Sequence, residues 1–276
     1  MPGLINVEKY LKRLEYSGDL TPNLETLQAL QFAHTTHLAF SNLDVLLDQT
    51  ILLDDESLVE KLIDRRRGGY CFEQNGLLLE VLLTLGFLAR PHAGRVRMGT
   101  PRDVLPPRTH LFIQVDLDGV TWIVDGGVGG MSLTAPIRFE LDTEQATPHE
   151  TRRIVRHGNI YYHQADLGEE WMDVYEFTGE QMPLIDRELA NWWTSTHPRS
   201  KFKQSLMAAL ALPNGERVGL LNDKFTHRRG PEIIRSQDIS NPADLWAILD
   251  REFQLHLEPS EADLIFDRVM TGARSI

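Results

Sequence analysis

The sequence predicts an α+β protein in three parts, and three observations carry that prediction. Apolar residues recur at helical spacing through the first 91 residues, the period changes to two after Pro91, and the tail mixes both patterns. The expected units are residues 1–91, helical; 92–190, rich in strands; and 191–276, helices with short strands.

In LINVEKYLKRL, Leu4, Val7, Tyr10, Leu11 and Leu14 fall on one helical face. TPNLETLQALQF follows, with Thr21 as the expected N-cap, Pro22 in the first turn, and Leu24, Leu27 and Leu30 behind them. DDESLVEKLIDRRRGG opens on acidic residues, buries Leu58, Leu62 and Ile63, and closes on arginines and glycine, an order that suits the helix dipole. CFEQNGLLLEVLLTLGF is too apolar for a surface helix and belongs in the core. THLFIQVDLDGVTWIVDGG alternates around Asp118-Gly119, a hairpin signal. PIRFEL, TRRIVRH and NIYYHQADL read as further strands, the last two joined by a turn at His157-Gly158-Asn159. LIDRELANWWTSTHPRS returns to helix and breaks at Pro198. Short strands with a turn at Asn214-Gly215 lead to NPADLWAILDREFQLHL, a helix with Asn241 as cap and Pro242 next; EADLIFDRVM is the last helix expected.

A chain of 276 residues, 42% hydrophobic and 25% charged, is long enough for several subdomains around sizeable cores. A net charge of -12 argues against a nucleic-acid binder, which would carry a basic face. The single cysteine forms no internal disulfide, the N-terminus lacks the apolar core of a signal peptide, and no run approaches the ~20 apolar residues of a membrane span. These features lead us to expect a soluble cytoplasmic protein. His34 and His37 have i, i+3 spacing, but no further ligand cluster accompanies them; they read as surface or packing histidines, and no metal is expected.

The cysteine, Cys71, sits in RGGYCFEQNG (67–76), where a Gly-Gly turn hands over to the buried helix. Backbone N–H groups and the positive end of the macrodipole favour a thiolate there, and the same N–H groups can hold an oxyanion. Gly68 and Gly69 permit a tight turn, and Arg67 adds positive potential. The position also suits a buried cysteine that packs as a small hydrophobe. A neighbouring base separates the two readings.

The hairpin supplies one. With Asp118-Gly119 as a two-residue turn, partner numbers sum to 237, so Phe112 lies opposite Asp125 and His110 opposite Gly127. His110 and Asp125 are then diagonal neighbours on one face, roughly 7–8 Å apart at the backbone. The opposite face carries Leu111, Ile113, Val115, Leu117, Trp122 and Val124, so the sheet is expected to bury that side and present His110 and Asp125 on the other. Such a pair serves structural hydrogen bonding as well as catalysis. Beside an activatable cysteine it completes a nucleophile, a base and an orienter of the base. By analogy this is the papain-like (cysteine-proteinase-like) arrangement.

These residues resemble the arylamine N-acetyltransferases. The match runs from FSNLDVLL (40–47) through RGGYCFEQNG, THLFIQV and WIVDGGVGG (122–130) to NWWTSTHPRSKF (191–202). The resemblance implies a Cys71–His110–Asp125 triad, and a helical bundle carrying the nucleophile, a β-barrel-like middle domain carrying the His and Asp, and an α/β lid. It implies acetyl-CoA as co-substrate with no permanently bound cofactor, a Cys71 thioester intermediate, ping-pong transfer to an arylamine or arylhydrazine, and a place in xenobiotic metabolism. Thr109, Gly127, Gly129 and Gly130 then lie near the acyl donor, and Phe40, Val128 and Phe202 line the acceptor pocket.

The chain departs from the family where DGGVGG replaces the common DVGFGG, so that Gly126 and Val128 stand for an apolar and an aromatic residue. Ser41 stands where glutamate is usual. Val128 bears on acceptor range. Three other readings remain at this point: a triad hydrolase or transglutaminase-like enzyme, an amide synthase that releases a polyketide, and a binding module that tolerates loss of Cys71.

Overall fold

The computed structural model describes residues 5–272, so Leu4 of the expected first helix lies outside the described residues. Helices α1 (Val7–Arg13) and α2 (Leu24–His37) are capped by Asn6 and Asn23, whose side chains accept from Lys9 N and Thr26 N. Thr21 is not the cap: its hydroxyl donates to Asp19 in the preceding turn, and the helix waits for Asn23. After β1 (Phe40–Ser41) and α3 (Leu43–Leu46), α4 (Asp55–Val59) starts at the Asp54 cap and runs into a π-turn at Glu60–Asp64. α5 (Cys71–Thr84) begins at the cysteine itself.

The strands β2 (Leu88–Val96), β3 (His110–Leu117), β4 (Val120–Val124), β5 (Ile137–Arg138), β6 (Arg152–His157), β7 (Ile160–Asp166) and β8 (Trp171–Phe177) form one sheet in the order β5-β4-β3-β2-β8-β7-β6. The segment beyond β5 bridges to β6 at Leu141–Ile154 and Gln145–Arg152, which curls the sheet nearly closed. The β3–β4 register runs from Leu117↔Val120 to Ile113↔Val124, as the hairpin arithmetic requires. Its turn places Asp118 and Gly119 at φ of 51° and 76°, the left-handed pair of a type I′ turn. After α6 (Leu184–Thr196) and α7 (Lys201–Gln204), the strands β9 (Met207–Ala211), β10 (Glu216–Leu221), β11 (Lys224–Arg229) and β12 (Glu232–Asp238) build a second sheet. β1 joins its edge through Phe40↔Ala209. α8 (Pro242–Phe253), capped by Asn241, and α9 (Pro259–Gly272) close the chain.

Burial differs from expectation on the hairpin. Ile113, Val115, Trp122 and Val124 pack on the leucines of α2 and α5, but Phe112 and Ile123 on the other face are buried too, with Val174, Tyr175 and Phe177. A curled sheet has an enclosed inner face. His110 and Asp125 therefore lie inside the molecule, not on an open surface. Among the described residues, no helix is long and apolar enough to cross a membrane.

Candidate active site

Cys71 opens α5 because the segment before it must turn sharply. Gly68 has φ +65°, and a side chain there would meet the Ala39 carbonyl at 2.6 Å. Glu73 accepts from Tyr70 N and stops the chain fraying ahead of the cysteine. Arg67 does not lend its charge to the sulfur. Its guanidinium is buried against Asp44 and Glu261, at 2.7 and 2.6 Å, because a buried cation needs carboxylate partners. Around Cys71 pack Phe40, Tyr70, Phe72, Ala93, Leu111 and Met182.

His110, the first residue of β3, holds Asp125 Oδ2 through Nε2 at 2.8 Å, with both side chains fully buried. The other carboxylate oxygen accepts from Asn75 Nδ2 (2.8 Å) and Gly127 N (2.9 Å). His110 Nδ1 has no hydrogen-bond partner, and the Cys71 side chain is near enough to act electrostatically on the ring. Burial opposes a charge on His110, yet the Asp125 carboxylate and Cys71 outweigh it and push the imidazole up to about 10. Cys71 Sγ also lies 3.4 Å from the Thr109 carbonyl. The structure thus brings together all three residues chosen from the sequence. Sequence reasoning missed Asn75, which holds both Asp125 and the N–H of Gly126. The signal was available: Asn75 is four residues from Cys71 in a helix, hence on the same face.

The other expected site residues divide. Gly127 lies against Cys71, where a Cβ would meet the cysteine Cα at 2.9 Å. Gly129 faces the ring of Phe40. Phe40 and Phe202 meet edge-on at 6.1 Å, and Tyr70 lies 5.1 Å from Phe202, forming an aromatic wall beside Cys71. Val128 is instead buried among Phe112, Ile123, Met131 and Leu133, in the interior of the curled sheet. Gly130 is partly exposed, with its carbonyl bonded by Arg228. Ser41 donates to the Arg67 carbonyl. His34 is a packing residue: its Nδ1 pairs with the Tyr10 hydroxyl and its ring covers Gly126.

A cleft of about 580 Å³ adjoins the cysteine cluster, lined by Ala93, Arg108, Thr109, Glu180, Met182 and Trp193. A second cavity of about 580 Å³ lies across α6 and includes Ile51, Asn191 and Trp192. Asn191 accepts from the Tyr70 hydroxyl. Among the described residues no group of three His, Cys, Asp or Glu side chains is placed to hold a metal.

A family model described as N-acetyltransferase matches residues 23–262. The chain is 37% identical over 260 residues to the arylamine N-acetyltransferase of Escherichia coli (strain K12), covering 94% of this chain and 92% of that one. It is 43% identical over 247 residues to the arylamine N-acetyltransferase of Mycolicibacterium smegmatis, covering 88% and 89%. The solved structure of the Mycobacterium marinum arylamine N-acetyltransferase in complex with CoA superposes with a TM-score of 0.91 at 36% identity, over 96% of this chain and 99% of that one.

Proposed function

We propose, from the premise that the chain belongs to the arylamine N-acetyltransferase family, that it moves an acetyl group from acetyl-CoA to an arylamine or arylhydrazine through an acyl-enzyme on Cys71. The observation that carries this reading is the fully buried His110–Asp125 pair at 2.8 Å, its second ring nitrogen left to the cysteine that opens α5.

In the first half-reaction the Cys71 proton resides on His110, whose raised pKa favours the imidazolium–thiolate pair. The sulfur attacks the thioester carbonyl carbon. As the new S–C bond forms and the CoA S–C bond breaks, His110 returns the proton to the departing CoA thiolate. The N–H groups that open α5 ahead of Glu73 favour the transient oxyanion. In the second half-reaction the amine nitrogen attacks the acyl carbon, gives its proton to His110, and Cys71 leaves as the thiolate. Asp125, held by Asn75 and Gly127, fixes the imidazole through both steps. The burial of this apparatus excludes water, which favours transfer to an amine over hydrolysis.

The cleft beside Thr109 gives the acyl donor a route to Cys71, and Phe40, Phe202 and Tyr70 give an aromatic amine a surface to stack on. The test is initial rates with acetyl-CoA and an arylamine varied together. The expected result is a set of parallel double-reciprocal lines that vanish in Cys71→Ala. Intersecting lines, or an active Cys71→Ala enzyme, would overturn the proposal.

A further inference from the structure

Glu150, just ahead of β6, is buried beside three arginines from three strands: Arg152 of β6, Arg217 of β10 and Arg228 of β11. Arg152 and Arg217 bond its Oε2 at 2.8 and 2.7 Å, Arg217 bonds Oε1 at 2.7 Å, and Arg228 lies 3.6 Å from Oε1. One further N–H group from each arginine turns to a single stretch of backbone, while another of Arg228 donates to the Gly230 carbonyl at 2.7 Å. Arg228 donates to the Gly130 carbonyl (3.0 Å), Arg152 to that of Met131 (3.1 Å) and Arg217 to that of Ser132 (2.9 Å). Three successive carbonyls are therefore held by three side chains that share one carboxylate. The β11–β12 register slips between His227 and Arg228, a bulge that adds twist at Arg228.

That stretch is the end of the loop that begins at Asp125. Leu133 N donates to the Asp125 carbonyl at 2.9 Å, and Ser132 Oγ bonds both the N–H and the carbonyl of Gly129. The same loop passes Gly127 over Cys71 and Gly129 past Phe40. Its glycines give it little stiffness of their own, so its shape has to be imposed from outside. Burial opposes the charge on Glu150, but the arginines hold its carboxyl well below the usual carboxylate range, so the ionic pattern persists across physiological pH.

We infer that Glu150 is a positioning residue for acyl transfer: through Arg152, Arg217 and Arg228 it fixes the 130–132 backbone, and so sets where the glycine loop stands against Cys71, the residue an acyl-CoA must reach. This rests on the acyl-transfer reading for the identity of the donor, though not for the mechanical link.

The experiment uses the full chain carrying Arg228→Gln or Glu150→Gln, Arg228 being at the rim and the milder change. Amide hydrogen exchange of the peptide spanning 126–133 is compared with that of the peptide spanning 71–84. Exchange in the loop is expected to rise roughly tenfold in both variants, with the α5 peptide unchanged. In parallel, kcat/KM for acetyl-CoA is expected to fall about tenfold, while labelling of Cys71 by iodoacetamide, too small to need the loop, keeps its rate. Unchanged loop exchange in Arg228→Gln, or equal losses in iodoacetamide labelling and acetyl-CoA turnover, would overturn the inference. A wild-type protein that acetyl-CoA does not acylate would overturn the acyl-transfer reading alone, and the exchange data would still decide the link between Glu150 and the loop.

Discussion

Two buried ionic clusters stand behind the two halves of the candidate site, and their compositions are opposite. Behind the cysteine, Arg67 and Lys61 serve three carboxylates, Asp44, Glu73 and Glu261. Behind the glycine loop, the single carboxylate of Glu150 serves three arginines. The first cluster offers the sulfur no surplus positive charge, which leaves His110 and the start of α5 as its polar surroundings. The second offers an excess of donors, which the loop carbonyls absorb. Each ties a loop of the site to the C-terminal part of the chain, Arg67 to Glu261 of α9 and Glu150 to Arg217 of β10. The difference teaches that the chemistry is local while the geometry is imposed over long range.

The comparison is most severely tested at Arg67. Arg67→Met leaves Asp44 buried beside Lys61 alone and should cost about 3–5 kcal/mol. Urea unfolding is expected to show a much lower midpoint with an unchanged slope. Arg228→Gln, with a side chain 22% exposed, should cost about 1–2 kcal/mol by the same assay. Equal losses would mean that the two clusters play the same structural part.

Acid comes next. Burial holds His34 neutral, pushed down to about 4 from 6.5, with Gln74 and Asp125 opposing the shift only in part. A depressed folded pKa means that the unfolded chain binds the proton first. The contribution of this ring is fully present above about pH 6.5 and is lost as pH falls through 4, on the order of 3 kcal/mol. His110 runs the other way, because its folded pKa is raised: its contribution is present below 6.5 and lost as pH rises toward 10. Thermal melts across pH should therefore fall off on both sides, and His34→Gln should flatten the acid limb only. An acid limb unchanged in that variant would remove His34 from the account.

Gly126 links the same histidine to the loop. A Cβ at 126 would meet His34 Cδ2 at 2.6 Å, so Gly126→Ala should cost about 1–3 kcal/mol. His34→Ala in the same chain should recover part of that loss, a non-additivity that denaturation of the two single variants and the double variant would measure. Strict additivity would show that the two residues do not press on one another.

The smallest effect is expected at Val128. Packed with Phe112 and Met131, it has little room for a ring, so Val128→Phe should turn the new side chain toward Phe40 and narrow the amine site. Stacking and crowding together should shift the kcat/KM ratio of a small against a bulky arylamine by about 0.5–1.5 kcal/mol, a few-fold. An unmoved ratio would confine Val128 to the core.

The candidate site residues were legible because each sits in a local pattern. The Gly-Gly turn before an apolar helix marks Cys71, and the Asp118-Gly119 turn fixes the register that sets His110 near Asp125. The same local rules hid β2 and β8. Pro91 reads as a breaker, yet its carbonyl points away from β3 to Met182 N, so its absent N–H removes no bond from the β2–β3 ladder. In WMDVYEF, Asp173 and Glu176 obscure the alternation, and their charged partners, Arg102 and Arg97, lie more than seventy residues earlier. Arg67 was misread for the same reason, since its partners are 23 and 194 residues distant. Arg152 is two residues from Glu150, but nothing near either in the sequence announces Arg217, Arg228 and three carbonyls.

The account turns on a covalent acyl group at Cys71, and intact mass spectrometry tests it most directly. Protein incubated with acetyl-CoA and no amine should gain the mass of one acetyl group, mapped to the peptide containing Cys71 and lost when an arylamine is added. Cys71→Ala should gain nothing. An adduct that survives in Cys71→Ala, or a wild-type protein that turns over arylamine without ever carrying an acetyl group, would contradict it.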